Sequence, residues 1–220
     1  MASSLDHEEQ DQLEEIKHFW SKYGSLLTWI LIALLAAYSG WSGWQYWQNR
    51  QALQASVLFQ SVDQAVASSD EALVQRSLAD MQDKFSSATY AAHASLLASK
   101  FWSDHAKPEL SKKALVWVVD HASDPGLVSI ARLRLASLAL DGKQTQEAKD
   151  WLKKEFPKAF ESLANDRMGD ALMLEHNAQE AKDKYLAAWK GMTERTQYRQ
   201  IVEVKLAALG VDVHAQESQP

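Results

Sequence analysis

The chain has 220 residues, a formal net charge of −6 and no cysteine. The missing thiols exclude disulfides, thiolate metal sites and cysteine nucleophiles, and an acidic balance without a basic run argues against nucleic-acid binding as the main task. Only 8 Gly and 4 Pro stand among abundant Ala, Leu, Gln, Lys and Glu, a composition that points to an all-α protein.

Residues 1–22, MASSLDHEEQDQLEEIKHFWSK, are read as an acidic amphipathic tail. Leu13, Ile16, Phe19, Trp20 and Tyr23 recur at helical spacing, so a short helix is expected to run into the apolar stretch beyond it. The tail has two readings: a solvated acidic segment with an interfacial last turn, or a docking segment for a partner on its own side of a membrane.

Residues 23–47 are expected to form a transmembrane helix. No charged side chain occurs between Lys22 and Arg50. The apolar part from Leu26 to Gly43 reaches about 27 Å as a helix, and a flanking turn covers a hydrocarbon core of about 30 Å. Leu26, Leu27, Ile30, Leu31, Leu34 and Leu35 supply insertion energy, while Tyr23 before and Trp41, Trp44 and Trp47 after suit the headgroup zone. Two other readings stand beside this one. A buried core helix rarely carries aromatic clusters at both ends. A cleaved signal peptide fits Ala37-Tyr38-Ser39, but signal n-regions are short and basic, whereas this one is long and acidic. Lys17 and Lys22 on one flank against Arg50 on the other favour a cytoplasmic N-terminus, which places residues 48–210 in the periplasm of a diderm bacterium.

From Trp47 to Ser69 the pattern continues without a breaker, so the membrane helix is expected to pass into the first helix of the second domain. Asp70–Phe85 reads as the next helix. Beyond Ser87 an internal repeat is visible. Ala114, Ala148 and Ala181 lie about 34 and about 33 residues apart, and each is followed four residues later by a large apolar residue, Val118, Leu152 or Tyr185. Each unit is a helix, a turn and a helix: 87–104 with 108–121, 126–140 with 144–156, and 158–175 with 178–190. Alanine at a crossing lets two helices approach to about 8–10 Å. Asp141-Gly142 and His176-Asn177 mark the inner turns, where Gly or Asn tolerates a left-handed cap. Pro125 and Pro157 separate the units. A last helix covers 194–209, and 211–220 read as a disordered tail. No pair buries its apolar face alone, so the pairs are expected to stack as a solenoid.

Period, layout and the small–large pattern resemble tetratricopeptide repeats. The third unit fits best, with Gly169, Asn177, Ala181, Tyr185 and Ala188 at signature positions. Trp102 and His121 depart from that pattern in the first unit, which is expected to pack irregularly. The acidic tail leading to Gly24, the single apolar helix, the Gly43-Trp44-Gln45-Tyr46-Trp47 exit and the LANDRMGDALML segment (Leu163–Leu174) together resemble the YfgM family over residues 8–209. That resemblance implies an inner-membrane protein with a periplasmic tetratricopeptide domain. It also implies association with the Sec translocon channel and with a membrane-anchored periplasmic chaperone of the prolyl-isomerase type (PpiD-like), acting on exported polypeptides.

Nothing in the sequence forms a catalytic or cofactor-binding constellation. There is no H-E-x-x-H, G-x-S-x-G or P-loop, and His105 and His121 read as helix-end packing. Arg132, Arg134 and Arg167, on first helices, are the candidate partner-binding residues. They either hold a peptide carboxylate or pair with Asp124 and Asp166 on the surface. Trp102, Trp117, Trp151 and Trp189 read as core between stacked pairs, or as contact sites where exposed. Three function classes emerge: a non-enzymatic scaffold at the translocon, an assembly adaptor for another envelope machine, and, least supported, an enzyme.

Overall fold

The computed structural model describes residues 7–213, and for 7–16 and 19 it describes the backbone alone. Residues 1–6 of the N-terminal tail and 214–220 of the C-terminal tail lie outside the described residues. Among the described residues there are nine α-helices and no strand. The all-α class expected from composition therefore holds.

The chain divides into two compact units, Met1–Gln51 and Ala52–Pro220. In the first unit, helix α1 begins at His7, and its apolar stretch forms a helix long and apolar enough to cross a membrane. Its large side chains are exposed: Leu26, Leu27, Ile30, Leu31, Leu34 and Leu35 on the apolar stretch, with Tyr23 before and Trp41, Trp44 and Trp47 after. An apolar helix left uncovered by protein in this way matches the expected span by length and composition. Thr28 returns its hydroxyl to the Gly24 carbonyl at 2.8 Å, so its polar group is satisfied within the helix.

In the second unit α1 ends at Ala67, and the remaining helices are α2 (Glu71–Lys84), α3 (Thr89–Asp104), α4 (Pro108–His121), α5 (Pro125–Asp141), α6 (Thr145–Leu152), α7 (Lys158–Leu174), α8 (Ala178–Gly191) and α9 (Gln197–Ala208). Asp70 caps α2 through the Leu73 amide, and Asp124 caps α5 through the amides of Gly126 and Leu127. Pro108 and Pro125 open their helices at the first position, where the missing N–H costs nothing. Second helices pack on first helices, and each pair packs on the next: α3 with α4, α4 with α5, α5 with α6 and α7, α7 with α8, and α8 with α9.

One turn geometry recurs along the unit. Ser69, Ala106, Lys143, His176 and Gly210 all have φ between 55° and 74°. In each case the next residue's amide bonds back to the carbonyl five positions earlier: Asp70 to Ala65, Lys107 to Trp102, Gln144 to Ala139, Asn177 to Leu172 and Val211 to Leu206. This is the Schellman closure of a helix, and it ends α1 in the same way as it ends α3, α5 and α7. It also corrects the expected caps. Gly142 has φ −80° and Asn177 φ −97°, so neither is left-handed; the strained positions are their neighbours Lys143 and His176. Asn177 instead caps α8, accepting from the Glu180 amide.

Two further boundaries differ from expectation. Helix α6 stops at Leu152 rather than continuing to 156. Pro157 disfavours helical backbone at Phe156, and the extended exit lets Phe156 bury beside Leu152. The chain also stays packed past Leu209: Val211 and Val213 are each 4% exposed in the cluster under α9, so the tail does not start at 211.

Candidate functional site

The repeat positions meet as small residues against large ones. Gly169 on α7 faces the ring of Tyr185 on α8 so closely that a Cβ there would lie 2.4 Å from Cε1. Ala136 and Leu152, at the corresponding positions of the preceding pair, share one buried cluster with Ala148. In the first pair the small position holds Trp102 and the large one Val118, so the volumes are reversed. Trp102 is buried with Phe101, Met81 and Ala114 toward the α1–α2 end of the unit. Ala181 and Ala188 are fully buried beside Tyr185.

The tryptophans divide. Trp102 and Trp189 are core, whereas Trp117 and Trp151 are half-buried, each packed against two successive clusters and so lying between stacked pairs as expected. The His121 ring stacks on Trp117 at 4.5 Å, and its Nδ1 lies 2.9 Å from the Trp117 carbonyl. His105 repeats the arrangement on Phe101 at the end of α3. Both histidines therefore close helix ends.

A charged cluster fastens α5, α7, α8 and α9 together. Asp166 is completely buried, not on the surface as the sequence suggested. It accepts from Arg167 Nη1 at 2.7 Å, Tyr198 Oη at 2.7 Å and Lys205 Nζ at 2.8 Å. Lys205 also donates to Asp170 at 2.6 Å, and Tyr185 Oη donates to Asp170 at 2.8 Å. Arg167 Nε reaches Ser137 Oγ on α5 at 3.0 Å. Two cations thus balance two carboxylates, and each buried polar atom named here has a partner, the condition under which a buried ionic group is tolerated. Burial opposes the Lys205 ammonium, but its hydrogen bonds to Asp166 and Asp170 outweigh that effect and raise its pKa. Burial and the hydrogen bond to Asp170 push the Tyr185 phenol far up. Tyr198, Lys205 and Asp170 do not stand out in the sequence as site residues. The available signal was Tyr198 and Lys205 at a seven-residue spacing on the same face as the buried Val202, opposite the pair Asp166 and Asp170.

The three candidate arginines do not act as one group. Arg132 Nη1 donates to the Glu155 carbonyl at 3.2 Å, and its Nε is buried with no acceptor. Arg134 reaches back to α3, donating to the Leu96 carbonyl at 2.8 Å. Arg167 belongs to the charged cluster. None pairs with Asp124, which caps α5. Arg134 and Arg167 nevertheless border two hollows on the face made by the first helices. One, of about 630 Å³, lies between α5 and α7 and is bordered by Ser137, Leu140, Asp141, Arg167, Asp170 and Leu174. The other, of about 280 Å³, is bordered by Ser99, Asp104, Ser111, Arg134, Leu138 and Asp141.

Stacked helix pairs with an open trough between α5 and α7 define a helical-repeat domain, here preceded by an apolar helix that fits a single-pass inner-membrane protein. The model of the tetratricopeptide repeat-like domain family matches residues 17–211, and the chain belongs to that family. A protein of Neisseria gonorrhoeae named ancillary SecYEG translocon subunit is 27% identical over 213 residues, a match covering 95% of this chain and 100% of that protein. The two matches bear out the resemblance to the YfgM family. No solved structure matches.

Proposed function

We propose that this protein is an ancillary subunit of the Sec translocon: a membrane-anchored, non-enzymatic scaffold with a cytoplasmic N-terminus and a periplasmic repeat domain. The observation that carries the reading is the match to the gonococcal translocon subunit, which runs the full length of that protein and so takes in the apolar helix as well as the repeats. The bias of Lys17 and Lys22 against Arg50 supports the sidedness. The anchor confines the repeat domain to the membrane surface and raises its effective concentration at the channel. There the trough engages a membrane-anchored periplasmic chaperone and emerging exported chains. The charged cluster is used up in joining helices, which supports a scaffold over an enzyme.

In-membrane photo-crosslinking from Leu138 and Leu174 tests this. Adducts with the channel, the chaperone or exported chains are expected. Adducts confined to another envelope machine would replace the translocon role with that of an assembly adaptor. Protease added to opened envelope vesicles is expected to cleave residues 52–213 from the periplasmic side.

A further inference from the structure

We propose that ionic strength opens the repeat unit along one side only: lysine–carboxylate clasps that salt releases join the even-numbered helices, while the odd-numbered helices α3, α5 and α7 keep their spacing. This behaviour belongs to the repeat unit itself and does not depend on which partner it serves.

Along the even-numbered helices, a lysine crosses each step from one helix pair to the next. Glu71 at the start of α2 takes Lys107 at the start of α4. Glu147 on α6 takes Lys112 on α4 at 2.7 Å. Glu175, in the turn that leads from α7 into α8, takes Lys149 on α6 at 2.5 Å. The side chains of these three pairs are between 19% and 42% exposed, so dissolved ions reach them. The hydrogen bond from Lys112 holds the Glu147 carboxyl below its ordinary pKa, and that from Lys149 does the same for Glu175, as expected of carboxylates paired in the folded chain.

The odd-numbered side is joined by different chemistry. From α5 to α3, Arg134 donates to the Leu96 carbonyl at 2.8 Å and to Ser99 Oγ at 3.3 Å. From α7 to α5, Arg167 Nε donates to Ser137 Oγ at 3.0 Å. These acceptors carry no net charge, and α5 also packs directly on α3 and on α7. Lys205 of α9 does form an ion pair with α7, but its acceptor Asp166 is completely buried. Salt therefore acts unequally on the two sides. The screening length falls from about 30 Å at 0.01 M salt to about 3 Å at 1 M, which weakens exposed pairs far more than buried ones. Releasing the lysines lets α2, α4 and α6 part while α5 still holds α3 and α7, so successive pairs tilt about the odd-numbered side.

The chain has no cysteine, so paired spin labels can be introduced into the full chain in nonionic detergent micelles. Gln75→Cys with Gln146→Cys spans α2 to α6, and His93→Cys with Glu161→Cys spans α3 to α7; all four positions are exposed. Distances are read by double electron–electron resonance in about 0.01 M and about 1 M sodium chloride. High salt is expected to raise the ratio of long to short α2–α6 distances by about two- to fivefold, the size of an exposed ion pair, and to leave the α3–α7 distribution unchanged. Glu71→Gln with Glu147→Gln should give the high-salt distribution at low salt and remove the response. Exchanging one pair, Lys112→Glu with Glu147→Lys, should restore the low-salt distances and the response, which a merely misfolded variant would not. An equal shift of the α3–α7 pair, no shift with salt, or a salt response that survives the two glutamines overturns the proposal.

Discussion

Gly169→Ala sets helix propensity against packing, and the structure decides which wins. Alanine in a helix interior is favoured over glycine by about 1 kcal/mol. Against that gain, the new Cβ would lie 2.4 Å, 2.6 Å and 2.9 Å from three atoms of the Tyr185 ring. Carbon atoms rest at about 3.5–4 Å, so the ring must retreat by about an ångström. It has little room, because Tyr185 is 3% exposed and its hydroxyl is held by Asp170. Overpacking of this kind costs about 1–3 kcal/mol, and drawing the ring away strains a hydrogen bond worth about 1 kcal/mol more. The expected net is a destabilisation of about 1–3 kcal/mol, measured by urea unfolding of the full chain in mild detergent with far-ultraviolet circular dichroism. In a Tyr185→Leu background the ring is gone, and Gly169→Ala should then stabilise. A strongly non-additive double-mutant cycle is therefore expected. If Gly169→Ala is neutral or stabilising in the wild-type background, or if the two changes add, glycine is not there to admit the ring.

Other outcomes rest on the turns and the charged cluster. Gly142→Ala should be neutral or stabilise by up to about 1 kcal/mol, since φ is −80° and a Cβ there makes only ordinary contacts, whereas Lys143→Gly should relieve left-handed strain and stabilise by about 0.5–1 kcal/mol. The same unfolding assay checks both, and the opposite pattern would restore Gly142 as the left-handed cap. Asp166→Ala leaves Arg167 and Lys205 without their buried acceptor and should cost about 3 kcal/mol, at the low end for a broken buried pair because both cations keep Asp170. Lys205, Tyr185 and Tyr198 have raised pKa values, so the folded state holds their protons more tightly than the unfolded chain. Their contribution is complete below pH 10.0, the ordinary tyrosine value, and is lost as pH rises through the folded values. Lys205→Met should flatten that alkaline decline in a pH series of unfolding midpoints. Glu147 runs the other way: the hydrogen bond from Lys112 lowers its pKa below 4.5, so its smaller contribution is present above that pH and is lost on further acidification.

The helices were legible because their signals are local. Apolar spacing, alanines at crossings and prolines at first positions act within one or two turns, and the uncharged run from Tyr23 to Asn49 needs no tertiary knowledge to read. The exact left-handed residue was less so. It is fixed by which amide closes the last turn, and Lys143 and His176 carry no marker for it, while the adjacent Gly142 and Asn177 carry a misleading one. Asp166 was harder still. A carboxylate beside an arginine usually marks a solvated face, and its burial depends on Tyr198 and Lys205, which arrive 32 and 39 residues later in the chain. Short apolar endings mislead in the same way: Val211 and Val213 flank Asp212 in what looks like a tail, and only the Schellman closure at Gly210 turns them back under α9.

The end of the repeat array and its trough are coupled through one side chain. The outer face of α9 leaves Ile201 and Val204 exposed among the described residues. Apolar contacts through Val202 and Leu206 give adhesion, but adhesion alone leaves the register of a twelve-residue helix weakly specified. Lys205 and Tyr198 limit that freedom, because a shift of one residue would strip the buried Asp166 of two of its three donors and leave it Arg167 alone. Arg167 belongs to the same cluster and also reaches across to Ser137 on α5, where both hollows meet. The polar latch that fixes the last helix thus also fixes the spacing of α5 and α7 at the trough. That spacing is held by a closed set of hydrogen bonds running from Ser137 through Arg167 and Asp166 to Tyr198 and Lys205.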